Sequence, residues 1–219
     1  SCSEFFDDGT NVTLLATPES TDYLFSGWSG ACTGSAICVV SMTQARAVTA
    51  TFVLKQSDLQ VSKTGSAAAN STISSDIAGI NCGNDCQQLY DIHQIVTLTA
   101  TPPANSLFAG WTNCPAATGN TCEVTMEAPI SISAEFLQQQ TLSVNLSGNG
   151  GGTISSVPAG SIDCGSAGGT DCSETVNQGD SLTLSAVSDS FSDFSGWFAD
   201  TAGTTLLSGC SVAGANCSI

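Results

Sequence analysis

Apolar and polar residues alternate in twos along most of this chain, and the alternation returns in near-copies. Val12-Thr13-Leu14-Leu15-Ala16-Thr17-Pro18 is echoed by Val96-Thr97-Leu98-Thr99-Ala100-Thr101-Pro102 and again by Leu182-Thr183-Leu184-Ser185-Ala186. Successive side chains of a strand point to opposite faces, so a period of two marks a strand with one buried and one wet face. No stretch keeps a 3.6-residue period, which predicts almost no helix. In the second copy the pattern predicts strands over Leu59 to Lys63, Ser71 to Ser75, Gln94 to Thr101, Leu107 to Trp111, Glu123 to Met126 and Ile130 to Phe136. Gly, Asn, Asp, Ser and Pro fill the gaps, as turns require. In the last of these strands Ile130, Ile132, Ala134 and Phe136 share one face, as Val48, Ala50 and Phe52 do in the first copy, while Ser131, Ser133 and Glu135 take the other.

The copies extend beyond one strand. Phe25-Ser26-Gly27-Trp28, Phe108-Ala109-Gly110-Trp111 and Phe194-Ser195-Gly196-Trp197 lie 83 and 86 residues apart. A period of that size is a small domain, so the 219 residues divide into 1–55, an opening repeat without its first segment, 56–138, a complete repeat, and 139–219, a repeat without its closing strand. The chain thus reads as cut from a longer array. Val53 to Asp58 and Leu137 to Gln140 are the expected linkers. They are short enough to keep neighbours in contact and to make the array stiff. The expected fold is all-β: small disulfide-stapled modules, sandwich or grasp-like sheets, stacked as a rod.

A module of about 80 residues buries only about 60–65% of its unfolded surface and needs a staple or a neighbour. Eleven cysteines supply the staple. Their spacing proposes five local bridges, Cys32 to Cys38, Cys82 to Cys86, Cys114 to Cys122, Cys164 to Cys172 and Cys210 to Cys217. Each closes a small loop worth about 2–2.5 kcal/mol. Zinc would need two cysteine pairs together or more histidine, and His93 is the one histidine. Disulfides place the chain in an oxidising, extracellular compartment. Cys2 is left over; by alignment it matches Cys86 and Cys172, so it reads as half of a bridge whose partner lies outside the chain.

Nineteen acids against three bases give a net charge of −16, which repels phosphate backbones and anionic lipid and argues against nucleic-acid binding. No apolar run approaches 18 residues, so membrane insertion as a helix is not expected.

With these residues laid out, the chain resembles the divergent internalin-B-type repeats of bacterial surface and secreted proteins. The resemblance rests on Cys82-Gly83-Asn84-Asp85-Cys86, the strand Val96 to Pro102, Phe108 to Trp111, Cys122-Glu123-Val124-Thr125-Met126 and Val48-Thr49-Ala50-Thr51-Phe52. It implies a modest all-β module, repeated in large extracellular proteins and often without activity of its own. The third copy departs most, because Trp197 is followed by a longer loop before Cys210.

Candidate chemistry is sparse. Trp28, Trp111 and Trp197 read as core anchors; the competing reading is a sugar-stacking platform. Asp7 with Asp8, Asp163 with Asp171 and Asp189 with Asp193 are the places calcium would choose, but none has a calcium-loop spacing, so no cofactor is expected. His93 sits at a turn without a nucleophile motif beside it, and no catalytic residues are proposed. The reading is a non-enzymatic structural segment, a stalk or the material of a filament, partnered by itself or by neighbouring repeats of its own chain. The alternative is an adhesin or carbohydrate-binding module contacting a glycan or host protein. Trp111→Ala separates the two by urea unfolding and a glycan-binding assay. A core tryptophan costs about 3–5 kcal/mol on truncation, whereas a sugar platform loses binding with little loss of stability.

Overall fold

The computed structural model describes residues 3–157, 162–165, 168–199, 210 and 215–218. Among them the backbone forms strands and a single turn of 3-10 helix at Ala68–Asn70. The first copy contributes β1 (Thr10–Leu14), β2 (Tyr23–Gly30), β3 (Cys38–Met42) and β4 (Val48–Leu54). The second contributes β5 (Gln56–Thr64), β6 (Thr72–Ser75), β7 (Gln87–Asp91), β8 (Ile95–Thr101), β9 (Ser106–Thr112), β10 (Ala116–Thr118), β11 (Thr121–Thr125) and β12 (Ile130–Ser143). The third contributes β13 (Gly152–Val157), β14 (Asp163–Gly165), β15 (Thr170–Asp171), β16 (Ser173–Asn177), β17 (Thr183–Ser188) and β18 (Asn216–Ser218). All-β architecture is therefore the observed class.

The sheets are open. Two have two strands, β1-β3 and β2-β4; the others run β10-β11-β8-β6, β16-β12-β5-β7 with β9 paired to β12, and β15-β14-β13-β17-β18. The chain divides into two compact units, one of Ser1–Ser62, Thr72–Ala100 and Trp111–Ala134, the other of Lys63–Ser71, Thr101–Gly110 and Glu135–Ile219.

In the first unit, alternation becomes burial through the register of β8 with β11. Val96 lies opposite Val124 and Leu98 opposite Cys122, all four buried, while Glu123 opposite Thr97 forms part of the wet face. Leu59, Ile73, Met126, Ile132 and Ala134 add to the buried set of that unit. Leu14 and Val12 of the first copy occupy the matching register positions opposite Cys38 and Val40. There the burial is thinner: Val48 and Ala50 are half-buried and Phe52 is 39% exposed, although one face of β4 reads as core. The first copy offers two two-stranded sheets where the second offers wider ones, so less surface is present to cover that face.

In the second unit Val144, Ile154, Ile162, Cys164, Leu182, Leu184, Ala186, Trp197 and Cys217 form one buried cluster. The register of β17 explains it, since Leu184 faces Cys217 on one side and Ser156 on the other, and Ala186 faces Ile154. Phe136 is buried in this unit, with its ring 5.7 Å from that of Phe108.

The two expected linkers are not linkers in the backbone. Only Lys55 separates β4 from β5, and Leu137 to Gln140 lie inside the fourteen residues of β12. Two strands, β7 and β10, have no counterpart in the pattern reading. In β7 only Tyr90 is buried, with its hydroxyl accepting from the Ile80 N–H and donating to Ser75 Oγ. Every residue of β10 is exposed, so pairing with β11 alone makes it a strand.

One glycine is fixed by close approach. Gly65 has φ +87, and a Cβ there would collide with the Phe136 carbonyl, which already accepts the Ala67 N–H at 3.0 Å. Gly65→Ala is expected to cost at least about 2–3 kcal/mol, the positive φ and the collision adding. Gly119→Ala, also at positive φ but with open space around it, should cost about 1 kcal/mol; urea unfolding of the two variants checks the difference.

Candidate functional site

Five disulfides are formed: Cys32–Cys38, Cys82–Cys86, Cys114–Cys122, Cys164–Cys172 and Cys210–Cys217, with Cα separations of 4.3 to 5.9 Å. They tie loops to strands. Cys38 starts β3, Cys122 lies in β11, Cys164 in β14 and Cys217 in β18, and each of these four is buried. Two bridges sit in matching hydrogen-bond settings. The Val61 N–H donates to the Cys86 carbonyl at 2.8 Å, and the Val144 N–H donates to the Cys172 carbonyl at 2.8 Å. Cys2 lies outside the described residues, as does most of the loop between Trp197 and Cys210.

The Phe-x-Gly-Trp motif owes its form to a β-bulge. In the β2–β4 ladder Phe25 faces Phe52 and Gly27 faces Thr51, so Ser26 is the extra residue. An extra residue restores to one face two side chains that are three apart, which regular alternation would put on opposite faces. Phe25 and Trp28 accordingly meet edge to face at 5.1 Å, and Phe194 and Trp197 at 5.3 Å. The bulge demands a backbone that L side chains avoid, with φ of 151°, 152° and 137° at Gly27, Gly110 and Gly196. Trp197 is buried, whereas Trp28 and Trp111 are half-buried. The Trp28 indole N–H donates to the Ala36 carbonyl at 2.9 Å, which commits its polar edge to its own module.

The joints between copies carry most of the specific polar contacts. At the first joint the Lys55 N–H donates to the Asp22 carbonyl at 2.8 Å and the Lys55 carbonyl accepts the Ile92 N–H at 3.0 Å. Gln56 Nε2 donates to Asp91 Oδ1 at 3.1 Å. His93, held at φ 65 with its N–H on the Met126 carbonyl, places Nε2 3.3 Å from Asp22 Oδ2 and Nδ1 3.1 Å from Glu127 Oε1. One imidazole thus touches a carboxylate from each of the first two copies. Sequence reading marked His93 as a turn residue and missed both partners, because neither Asp22 nor Glu127 belongs to a motif and only the folded chain brings them together.

At the second joint Gln138 and Gln139 are bound from both copies. The Gln138 N–H donates to Ser66 Oγ at 2.8 Å and the Gln139 N–H to the Asn105 carbonyl at 2.8 Å. From the third copy the Gln178 N–H donates to the Gln138 carbonyl at 2.6 Å, and Gln139 Nε2 donates to Asn177 Oδ1 at 3.2 Å. An open polar groove lies here, lined by Asn105, Ser106, Gln138, Gln139 and Thr175 among others, with no aromatic or titratable side chain in it.

The acidic pairs do not converge. Asp163 and Asp171 face each other across β14 and β15, and among the described residues no three His, Cys, Asp or Glu side chains gather as a metal site. No helix in the described residues is long and apolar enough to cross a membrane.

Residues 1–56 and 65–140 match the family described as the divergent InlB B-repeat domain. That is more than half of the chain, and the chain belongs to this family of bacterial surface repeat modules, whose members are generally non-catalytic. No curated protein and no solved structure matches it.

The hydrogen bond with Glu127, and then that with Asp22, hold the His93 pKa above the usual 6.5. A raised folded pKa means the contacts stabilise the protein fully below the unfolded value and lose that effect as pH rises through the folded one. The stability gap between the native chain and His93→Gln should therefore be widest below pH 6.5 and close above the folded midpoint. An NMR titration should place that midpoint above 6.5 and show it falling toward that value at 1 M salt, because these groups are solvent-exposed and screened.

Proposed function

We propose that this chain is a non-enzymatic structural segment of a bacterial extracellular protein, acting as a stalk or, by self-association, as filament material. The observation that carries the reading is the construction of the joints. Lys55 is bonded through both its N–H and its carbonyl, and β12 passes from the second copy into the third with Gln138 and Gln139 held from either side. Main-chain bonding of this kind resists bending at the places where a jointed, ligand-capturing array would be free to hinge. Membership of the repeat family, local disulfides and an acidic, soluble surface fit an extracellular setting. The polar groove at the second joint has no catalytic constellation, and the indole N–H of Trp28 is spent within its own module.

Electron microscopy of the unreduced chain, paired with a glycan and matrix-protein array, tests the reading. Dispersed stiff particles support the stalk, and regular filaments with an axial repeat support the filament. Saturable binding to one glycan or protein that is lost in Trp28→Ala or Trp111→Ala, with the fold intact, overturns both in favour of an adhesin or carbohydrate-binding module.

A further inference from the structure

The three copies of the central strand have unequal surroundings. In the second copy β8 has β11 on one side and β6 on the other; in the third, β17 has β18 and β13. In the first copy β1 pairs with β3 alone among the described residues. Burial follows this difference. Val96, Leu98 and Ala100 are fully buried, and Leu182, Leu184 and Ala186 are at most 7% exposed, but the matching Val12, Leu14 and Ala16 are only half-buried. Strand length follows it too, since β8 runs to Thr101 and β17 to Ser188, while β1 stops at Leu14 although Ala16-Thr17-Pro18 repeats Ala100-Thr101-Pro102.

The two strands that fill the flanking position carry the same four residues. β6 is Thr72-Ile73-Ser74-Ser75, and β13 contains Thr153-Ile154-Ser155-Ser156. Each residue has a repeated task. Ile73 and Ile154 are buried. Ser75 and Ser156 each accept, through Oγ, the N–H of the isoleucine that opens the cysteine loop, Ile80 at 3.1 Å and Ile162 at 2.9 Å. Ser155 points to the wet face, opposite Ser185.

The wet face of the first copy is different in kind. Leu15, Ile37 and Val39 are 79%, 69% and 57% exposed. Their counterparts are Thr99, Thr121 and Glu123 in the second copy and Ser185, Asn216 and Ser218 in the third. Apolar side chains clustered at an open strand edge are what a partner strand covers, because an unpaired edge presents ready main-chain donors and acceptors.

We propose that the free edge of β1 is an acceptor site for one extended segment of the same repeat type, running antiparallel to β1 with the pattern Thr-Ile-apolar-Ser. Its isoleucine would cover the inner face at Ala16, as Ile154 covers Ala186. Its third residue, serine in β6 and β13, is apolar in the true partner, because it lies beside Leu15 where the other copies place Thr99 or Ser185. The inference rests on the equivalence of the three copies and not on the stalk or filament role, so its failure would leave that role standing.

The test uses the whole oxidised chain and a synthetic peptide covering residues 71–86 with its Cys82–Cys86 bridge closed. Hydrogen exchange should show slowed amides in β1 and in 15–17 on peptide addition, with saturable binding by titration calorimetry. A Ser74→Val peptide should bind about two- to fivefold tighter, the gain of an apolar cross-strand pair, and an Ile73→Asp peptide should not bind. No binding at millimolar peptide, protection confined to other strands, or equal binding by the Ile73→Asp peptide would overturn the proposal.

Discussion

Main-chain hydrogen bonding through the joints is the constraint on which the rest of this structure depends. A strand exposes an N–H and a carbonyl at every residue, and each must find a partner or water. In Leu137 to Gln140 those groups continue β12, with Ser66 and Asn105 of the second copy and Gln178 of the third as partners. The joint is therefore part of a sheet. Gly65 follows from the same arrangement, because only a residue without Cβ lets the Phe136 carbonyl come close enough to accept the Ala67 N–H.

Disulfides and bulges then adapt one module plan to small size. The bridges close loops of a few residues, so each removes little chain entropy; their structural effect is to fix a loop against a buried strand end, as Cys122 and Cys164 do. The bulge after Phe25 lets a short strand send both Phe25 and Trp28 to one side. Aromatic area is thereby concentrated where a module of this size has few apolar residues to spend.

Much of this was legible in the sequence, and the parts that were not have a common cause. Alternation located β5, β6, β8, β9 and β11 of the second copy to within a few residues, and the burial of Ile132, Ala134 and Phe136 follows the predicted face. Three glutamines in a row look like a spacer because side-chain polarity is what a pattern reads, whereas the backbone of Gln138 to Gln140 obeys the ladder. β7 escaped notice for the same reason: Leu89 is exposed and Tyr90 is the buried member. The clasp of Asp22, His93 and Glu127 was beyond sequence reading because it depends on where two turns meet in space.

Hydrogen exchange of Leu137 to Thr141 in the unreduced chain tests the central claim most directly. If the joint is a sheet, those amides that bond within β12's ladders, Gln138 and Gln139 among them, exchange as slowly as the flanking residues of β12. Exchange at loop rates across 137–141, with the rest of β12 protected, would show that the copies are tethered by a linker and would contradict the account.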